Sequence, residues 1–222
     1  MSLQAKLDAF TNDLISSGKI PEPFVTALKD GIAEQIASGH ADRALKAGDD
    51  APAFALPNES GTSVSSAKLL AKGPLVVSFY RGVWCPYCNI ELQALEEARA
   101  EIEARGATLV AVSMQNAANS RKSARENDLG FPILVDDGGK VAGAFGLRYA
   151  LSHKTAELYR ALGNDLEAIN GETSWSLPMP ARFVIGQGGV IAYAEVNPDY
   201  TRRPEPEHLF PILDQLARAK GS

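Results

Sequence analysis

Hydrophobic positions in the first forty residues recur every three or four. Leu3, Leu7, Phe10 and Leu14 fall on one face, ending at Ser17-Gly18. After Pro21 and Pro23, Phe24, Leu28, Ile32 and Ile36 repeat the pattern and stop at Gly39. Such spacing predicts two amphipathic helices in a hairpin, which covers part of the remaining chain or supplies a dimer contact; a packing extension is the simpler reading. From Gly48 the pattern changes. "FALPNESGTSVSS" alternates and turns as a short hairpin. "PLVVSFY" and "ATLVAVSM" are brief β-rich apolar runs of the kind buried in parallel sheets, and "FPILVDD" is a third. Between them lie two helical patterns. One begins at "CPYCNIELQALEEARAEIEARG", with Leu92, Leu95 and Ile102 inward and Gly106 as its stop; the other spans "NSRKSARENDLG" to Gly130. Residues 152–170 read as a weakly amphipathic helical insertion. "ARFVIGQGGVIAYAEV" reads as two strands joined by a glycine turn, and "PEPEHLFPILDQLARAK" as a closing helix. In the last, Pro204 or Pro206 lies near the start, and Pro211 bends the helix or marks its true beginning. This order predicts an α/β sandwich with parallel pairing first and an antiparallel hairpin later. Residues 1–47 form the helical extension and 48–222 the main domain.

Composition narrows the function classes without naming one. With 45% hydrophobic and 22% charged residues over 222 positions, the chain is ordinary for a globular protein. Its net charge of −5 carries no long run of either sign, so neither nucleic acid nor an anionic membrane is indicated as a partner. "MSLQAKLDAF" lacks the basic and continuous apolar regions of a signal peptide, and no apolar run approaches the ~18 residues of a membrane span. The expected location is cytoplasmic. There a CxxC pair is more often redox or metal chemistry than a structural staple.

Both cysteines of the chain sit in "SFYRGVWCPYCNIELQAL". With Cys85 as the cap and Pro86 at the first helical position, Cys88 falls on the same face, within disulfide reach. Both sulfurs then lie at the positive end of a helix, which favours thiolate. Arg81 adds positive charge there, or is simply solvated. Trp84 flanks a substrate groove or packs. A zinc site wants four ligands, and His40, His153 and His208 stand isolated from the cysteines. Haem attachment needs a histidine where Asn89 stands. A structural disulfide closing so short a loop gains little entropy. "GQGG" and "DDGG" read as turns.

"GDDAPAFALPNESGTSVS", "PLVVSFYRGVWCPYC" and "PARFVIGQGGVIAYAEV" together resemble the thioredoxin superfamily, and most closely its peroxiredoxin-like branch, the alkyl hydroperoxide reductase and thiol-specific antioxidant group. The resemblance covers roughly residues 48–219 and implies a thioredoxin-like sandwich with a central mixed sheet. It also implies a cis Met179–Pro180 bond beside the thiols. Against the family's Pro-x-x-x-Thr-x-x-Cys pattern, the final cysteine falls on Cys88, the threonine on Cys85 and the proline on Arg81. The family's arginine falls on Pro180, with Arg182 two places out of register, and Glu91 fits both peroxiredoxins and thioredoxin-like reductases.

The resemblance therefore implies a thiol oxidoreductase in which Cys88 attacks a peroxide and Cys85 resolves it, with thioredoxin or a small thiol as reductant. It requires no metal, flavin or nucleotide. A second reading is a thioredoxin-like disulfide reductase led by Cys85. A third keeps the fold as a redox-sensing or interaction module.

Overall fold

The computed structural model describes residues 1–220. Two helices open the chain, α1 (Leu3–Ser16) and α2 (Glu22–Ala37). The antiparallel pair β1 (Ala55–Pro57) and β2 (Ser63–Ser65) follows, then α3 (Ser66–Leu70). Next come β3 (Leu75–Phe79), α4 (Pro86–Ala104), β4 (Thr108–Ser113), α5 (Ala117–Glu126), β5 (Ile133–Val135) and α6 (Lys140–Ala144). A pair of short strands, β6 (Arg148–Ala150) and β7 (Ser176–Pro178), brackets α7 (His153–Ala161) and α8 (Leu166–Asn170). The chain closes with β8 (Ala181–Ile185), β9 (Ile191–Val196) and α9 (Leu209–Lys220).

Five strands make the central sheet in the order β5-β4-β3-β8-β9. β3, β4 and β5 run parallel, whereas β8 and β9 are antiparallel, as the element order predicts. Every residue of β3 is buried, and period-two alternation splits them between two cores. Val76 joins Leu92, Leu95 and Ile102 of α4 and Leu209 and Leu213 of α9 on one face. Val77 and Phe79 join Phe145, Phe183 and Met179 on the other. A sheet covered on both faces explains why β3 and β4 read as continuous apolar runs.

Helix boundaries follow local chemistry. Pro86 opens α4, and Gly106 closes it in the left-handed region at φ 77°, with Ala107 N–H donating to the Ile102 carbonyl at 3.3 Å. α5 stops at Glu126, four residues short of Gly130, because Asp128 already turns the chain at φ 52°. The insertion divides into α7 and α8 at Gly163 (φ 85°), and both pack around Trp175 and Leu177. Pro211 lies in the first turn of α9, where its missing N–H costs no hydrogen bond, so it marks a start and not a bend.

The N-terminal helices each have a different partner. α1 packs on α4, burying Leu3 and Leu7 in the first core, while α2 packs on α7. No helix among the described residues is long and apolar enough to cross a membrane.

The expected cis bond at Met179–Pro180 is absent: no peptide among the described residues is cis. Only Met179 and Pro180 separate β7, paired with β6, from β8, paired with β3 and β9. A trans peptide, with Cα atoms ~3.8 Å apart, keeps the chain extended from one ladder into the next. It also follows the intrinsic X–Pro preference of about 0.5–1 kcal/mol.

Candidate active site

Strand β3 ends at Phe79 and delivers residues 80–85 to the N-terminus of α4. Gly82 sits at φ 148°, and a Cβ there would lie 2.6 Å from Trp84 Nε1, so the turn requires glycine. Side chains from neighbouring elements fasten this loop. Gln115 accepts from Val83 N–H at 2.9 Å and donates to Tyr80 Oη at 2.7 Å; Asn89 donates to the Val83 carbonyl at 2.8 Å. Cys85 caps the helix in extended conformation, and its carbonyl accepts from Cys88 and Asn89 N–H at 3.1 Å each.

The two sulfurs lie 3.0 Å apart, with Cys88 donating to Cys85. Both thiols are reduced and buried. Around Cys85 the dominant group is Arg81, which is 1% exposed and not the solvated arginine that the sequence allowed. Its Nη1 lies 3.8 Å from Cys85 Sγ, and its Nη2 donates to the Tyr159 hydroxyl. The guanidinium carbon is 4.0 Å from the Tyr200 ring centroid, 4.7 Å from Trp84 and 5.3 Å from Tyr159. Three aromatic faces thus replace the water that a buried cation loses. Trp84 packs on Tyr159 and also lines a cavity.

Around Cys88 the arrangement is ionic. Arg203 Nη2 lies 3.7 Å from Cys88 Sγ, and its Nε donates to the Glu91 carboxylate. Arg182 donates to the other Glu91 oxygen at 2.8 Å and, at 3.3 Å, to the Glu205 carbonyl. Arg182 therefore reaches the thiols only through Glu91. Pro180 lines a small cleft with Glu91, Arg182 and Arg203, not the cavity at Cys85.

Sequence reasoning missed Arg203 and Tyr200. Both lie more than a hundred residues from the cysteines, in a loop with no periodic signal. The one hint was negative: the resemblance calls for a guanidinium where Pro180 stands. Helix α1 holds their loop in place. Leu3 and Gln4 N–H donate to the Glu205 carboxylate at 2.8 and 3.1 Å, and Arg203 N–H donates to Gln4 Oε1 at 3.1 Å. A carboxylate at a helix N-terminus is favourably placed for both the free amides and the dipole.

The electrostatics separate the two thiols. Burial raises both. At Cys85 it is outweighed by the Cys88 hydrogen bond and the charges of Arg81 and Arg203, which bring that thiol down to about 6. At Cys88 burial adds to the cost of donating to Cys85 and of facing its thiolate, which holds the thiol well above its ordinary range. The arrangement is a thiolate at Cys85 with a thiol at Cys88 as donor. A cavity of about 250 Å³ opens onto Cys85, Arg81, Trp84, Tyr159 and Tyr200; Cys88 is wholly buried behind it.

Known proteins share this frame. The chain is 28% identical over 190 residues to the chloroplastic peroxiredoxin Q of Oryza sativa subsp. japonica, covering 85% of this chain and 75% of that protein. It is 32% identical over 110 residues to the thiol-disulfide oxidoreductase ResA of Halalkalibacterium halodurans, covering 49% of this chain and 61% of that one. Among solved structures, the peroxidoxin BcpB of Mycobacterium tuberculosis shares the fold, with a TM-score of 0.61 at 23% identity over 79% of this chain and 97% of its own. Residues 47–194 match the AhpC/TSA family, a span holding the whole strand–CxxC–helix unit and the late β-hairpin up to Ala194, and on that match the chain belongs to the AhpC/TSA family.

Proposed function

We propose that this thiol-dependent, peroxidase-type oxidoreductase works through the Cys85/Cys88 dithiol, with Cys85 as the attacking sulfur. The observation that carries this reading is the position of Cys85: hydrogen-bonded by Cys88, beside Arg81, and the only sulfur on the cavity. The resemblance to peroxiredoxins assigns the attack to Cys88 instead. Burial of Cys88 behind Cys85 and its raised thiol favour the reverse order.

In the proposed cycle the Cys85 thiolate attacks the terminal oxygen of a hydroperoxide. A sulfur–oxygen bond forms, the O–O bond breaks, and the alkoxide (hydroxide, for hydrogen peroxide) leaves and takes a proton from water. Cys85 is now a sulfenic acid. Cys88 attacks that sulfur; the disulfide forms as the S–O bond breaks, and water departs with the Cys88 proton. An external dithiol, thioredoxin or a small thiol then reduces the disulfide. A cytoplasmic setting suits this cycle, since a reducing pool regenerates the thiols.

Arg81 supplies positive charge beside the leaving oxygen. Arg81 Nε and Trp84 Nε1 are buried donors with no partner among the described residues, and both side chains line the cavity. Buried donors of this kind are costly when left unmatched, and a peroxide oxygen would satisfy them. We assign Glu91 and Arg182 to positioning Arg203 over Cys88. Residues 1–47 are read as an extension that walls the site, and 48–222 as the thioredoxin-like domain.

The alternative is a protein disulfide reductase in which Cys85 attacks a protein disulfide and Cys88 resolves it. The test sets peroxide consumption with dithiothreitol beside insulin reduction. Peroxide loss matched by one disulfide per peroxide is expected. Insulin reduction without peroxide loss would overturn the reading in favour of the reductase.

A further inference from the structure

The cavity at Cys85 has two kinds of wall. Its chemical end is Cys85, Arg81 and the rings of Tyr159 and Tyr200. Much of the rest is Phe10 and Leu14 of α1, Ile20 of the connection, Leu28 of α2 and Leu162 after α7. The first four lie before residue 47, outside the span that matches the family. These side chains are half-buried and none of them touches the sulfurs or the arginines through a polar group. Hydrogen peroxide has no use for such a wall. At about 250 Å³ the cavity is about eight times the ~30 Å³ share of a water molecule, and most of its lining offers no hydrogen bond. A second cavity of about 270 Å³ shares Leu28, Tyr159 and Tyr200 with the first, so Leu28 stands at the border of both.

We propose that the two N-terminal helices set the substrate preference of this site, selecting hydroperoxides with a bulky apolar substituent over hydrogen peroxide. The inference rests on the peroxidase reading above and adds the residues that choose the substrate. The peroxide group meets Cys85 and Arg81; the substituent lies against Leu14 and Leu28 and is removed from water there. Burial of a phenyl-sized group is worth about ten- to a hundredfold in kcat/KM when it is retained in the transition state. The reaction is otherwise unchanged: cumene hydroperoxide yields 2-phenyl-2-propanol and a Cys85 sulfenic acid. Leu14 and Leu28 are specificity residues and take no part in bond making.

The experiment compares kcat/KM for cumene hydroperoxide and hydrogen peroxide in the full chain, in Leu14→Trp, which fills the cavity, and in Leu28→Asn, which makes its wall polar. Far-UV circular dichroism checks that each variant is folded. A parallel arm measures binding of 2-phenyl-2-propanol to the reduced protein by tryptophan fluorescence, which needs no turnover. The expected ratio in the unmodified chain is at least about tenfold in favour of cumene hydroperoxide. That ratio should fall at least fivefold in both variants, with weaker binding of the alcohol. A ratio at or below one in the unmodified chain, or one unmoved by either substitution, would overturn the proposal. If neither peroxide is consumed, the peroxidase reading itself fails. Alcohol binding weakened by Leu14→Trp would then still support the apolar subsite, and absent binding would dismiss it.

Discussion

Cys85 and Cys88 lie 3.0 Å apart at one helix terminus, yet their surroundings have little in common. On the Cys85 side a single arginine is held among three aromatic rings beside a cavity. On the Cys88 side two arginines close on one buried carboxylate, with only a small cleft beside them. The helix dipole acts on both sulfurs alike and so cannot distinguish them. What separates them is which one accepts the shared hydrogen bond and which one faces the cavity. In the proposed cycle the aromatic side serves reactivity and the ionic side serves position. A fold can therefore give two neighbouring thiols opposite characters without moving the backbone.

The largest expected effect comes from removing the attacking sulfur. Cys85→Ser should lose at least about a thousandfold in peroxide turnover, whereas Cys88→Ser should complete its first turnover and then stall without its resolving partner. Stopped-flow peroxide loss under single and multiple turnover distinguishes the two. Next is the ionic side. Glu91→Leu leaves two buried guanidiniums without their carboxylate and should cost about 3–5 kcal/mol of stability, read from the urea midpoint at unchanged slope. Equal losses from Arg81→Met and Glu91→Leu would erase the division of labour.

Arg81→Met sharpens the comparison from the other side. With burial unopposed by that charge, the Cys85 thiol should rise by about one unit or more, slowing iodoacetamide alkylation at pH 7 about tenfold. In the unmodified protein the sign is fixed by a thiol lowered to about 6. Alkylation should rise tenfold per pH unit up to about pH 6 and level off above it, where the thiolate is already formed. A profile still rising between pH 7 and 9 would place the reactive sulfur at an ordinary thiol value. The smallest effect is expected for Trp84→Phe, which keeps the ring over Arg81 and deletes one unpartnered donor. A loss of a fewfold in kcat/KM, with alkylation unchanged, would fit that single role.

Much of the frame was legible because it is local. The apolar run at residues 75–79, proline after Cys85 and glycine at 106 each specify their element within a few residues, and the sheet order follows from their sequence. The site was legible only as far as the helix N-terminus reaches. Arg81 looked like a surface residue because nothing near it in sequence announces Tyr159 and Tyr200, which bury it. Arg203 arrives through a loop that α1 fastens across about two hundred residues, with Gln4 and Glu205 as the links. The amphipathic pattern of α1 and α2 identified helices but not what their apolar faces would cover. The cis proline expectation came from resemblance, and the continuous run of β7 into β8 overrode it.

The central claim is that Cys85 is the peroxide-reactive sulfur. The direct measurement is mass spectrometry of dimedone adducts in Cys85→Ser and Cys88→Ser after limiting peroxide. The account predicts a labelled Cys85 in Cys88→Ser, where no partner remains to resolve the sulfenic acid, and little label on Cys88 in Cys85→Ser. A labelled Cys88 in Cys85→Ser, with Cys88→Ser left bare, would contradict it.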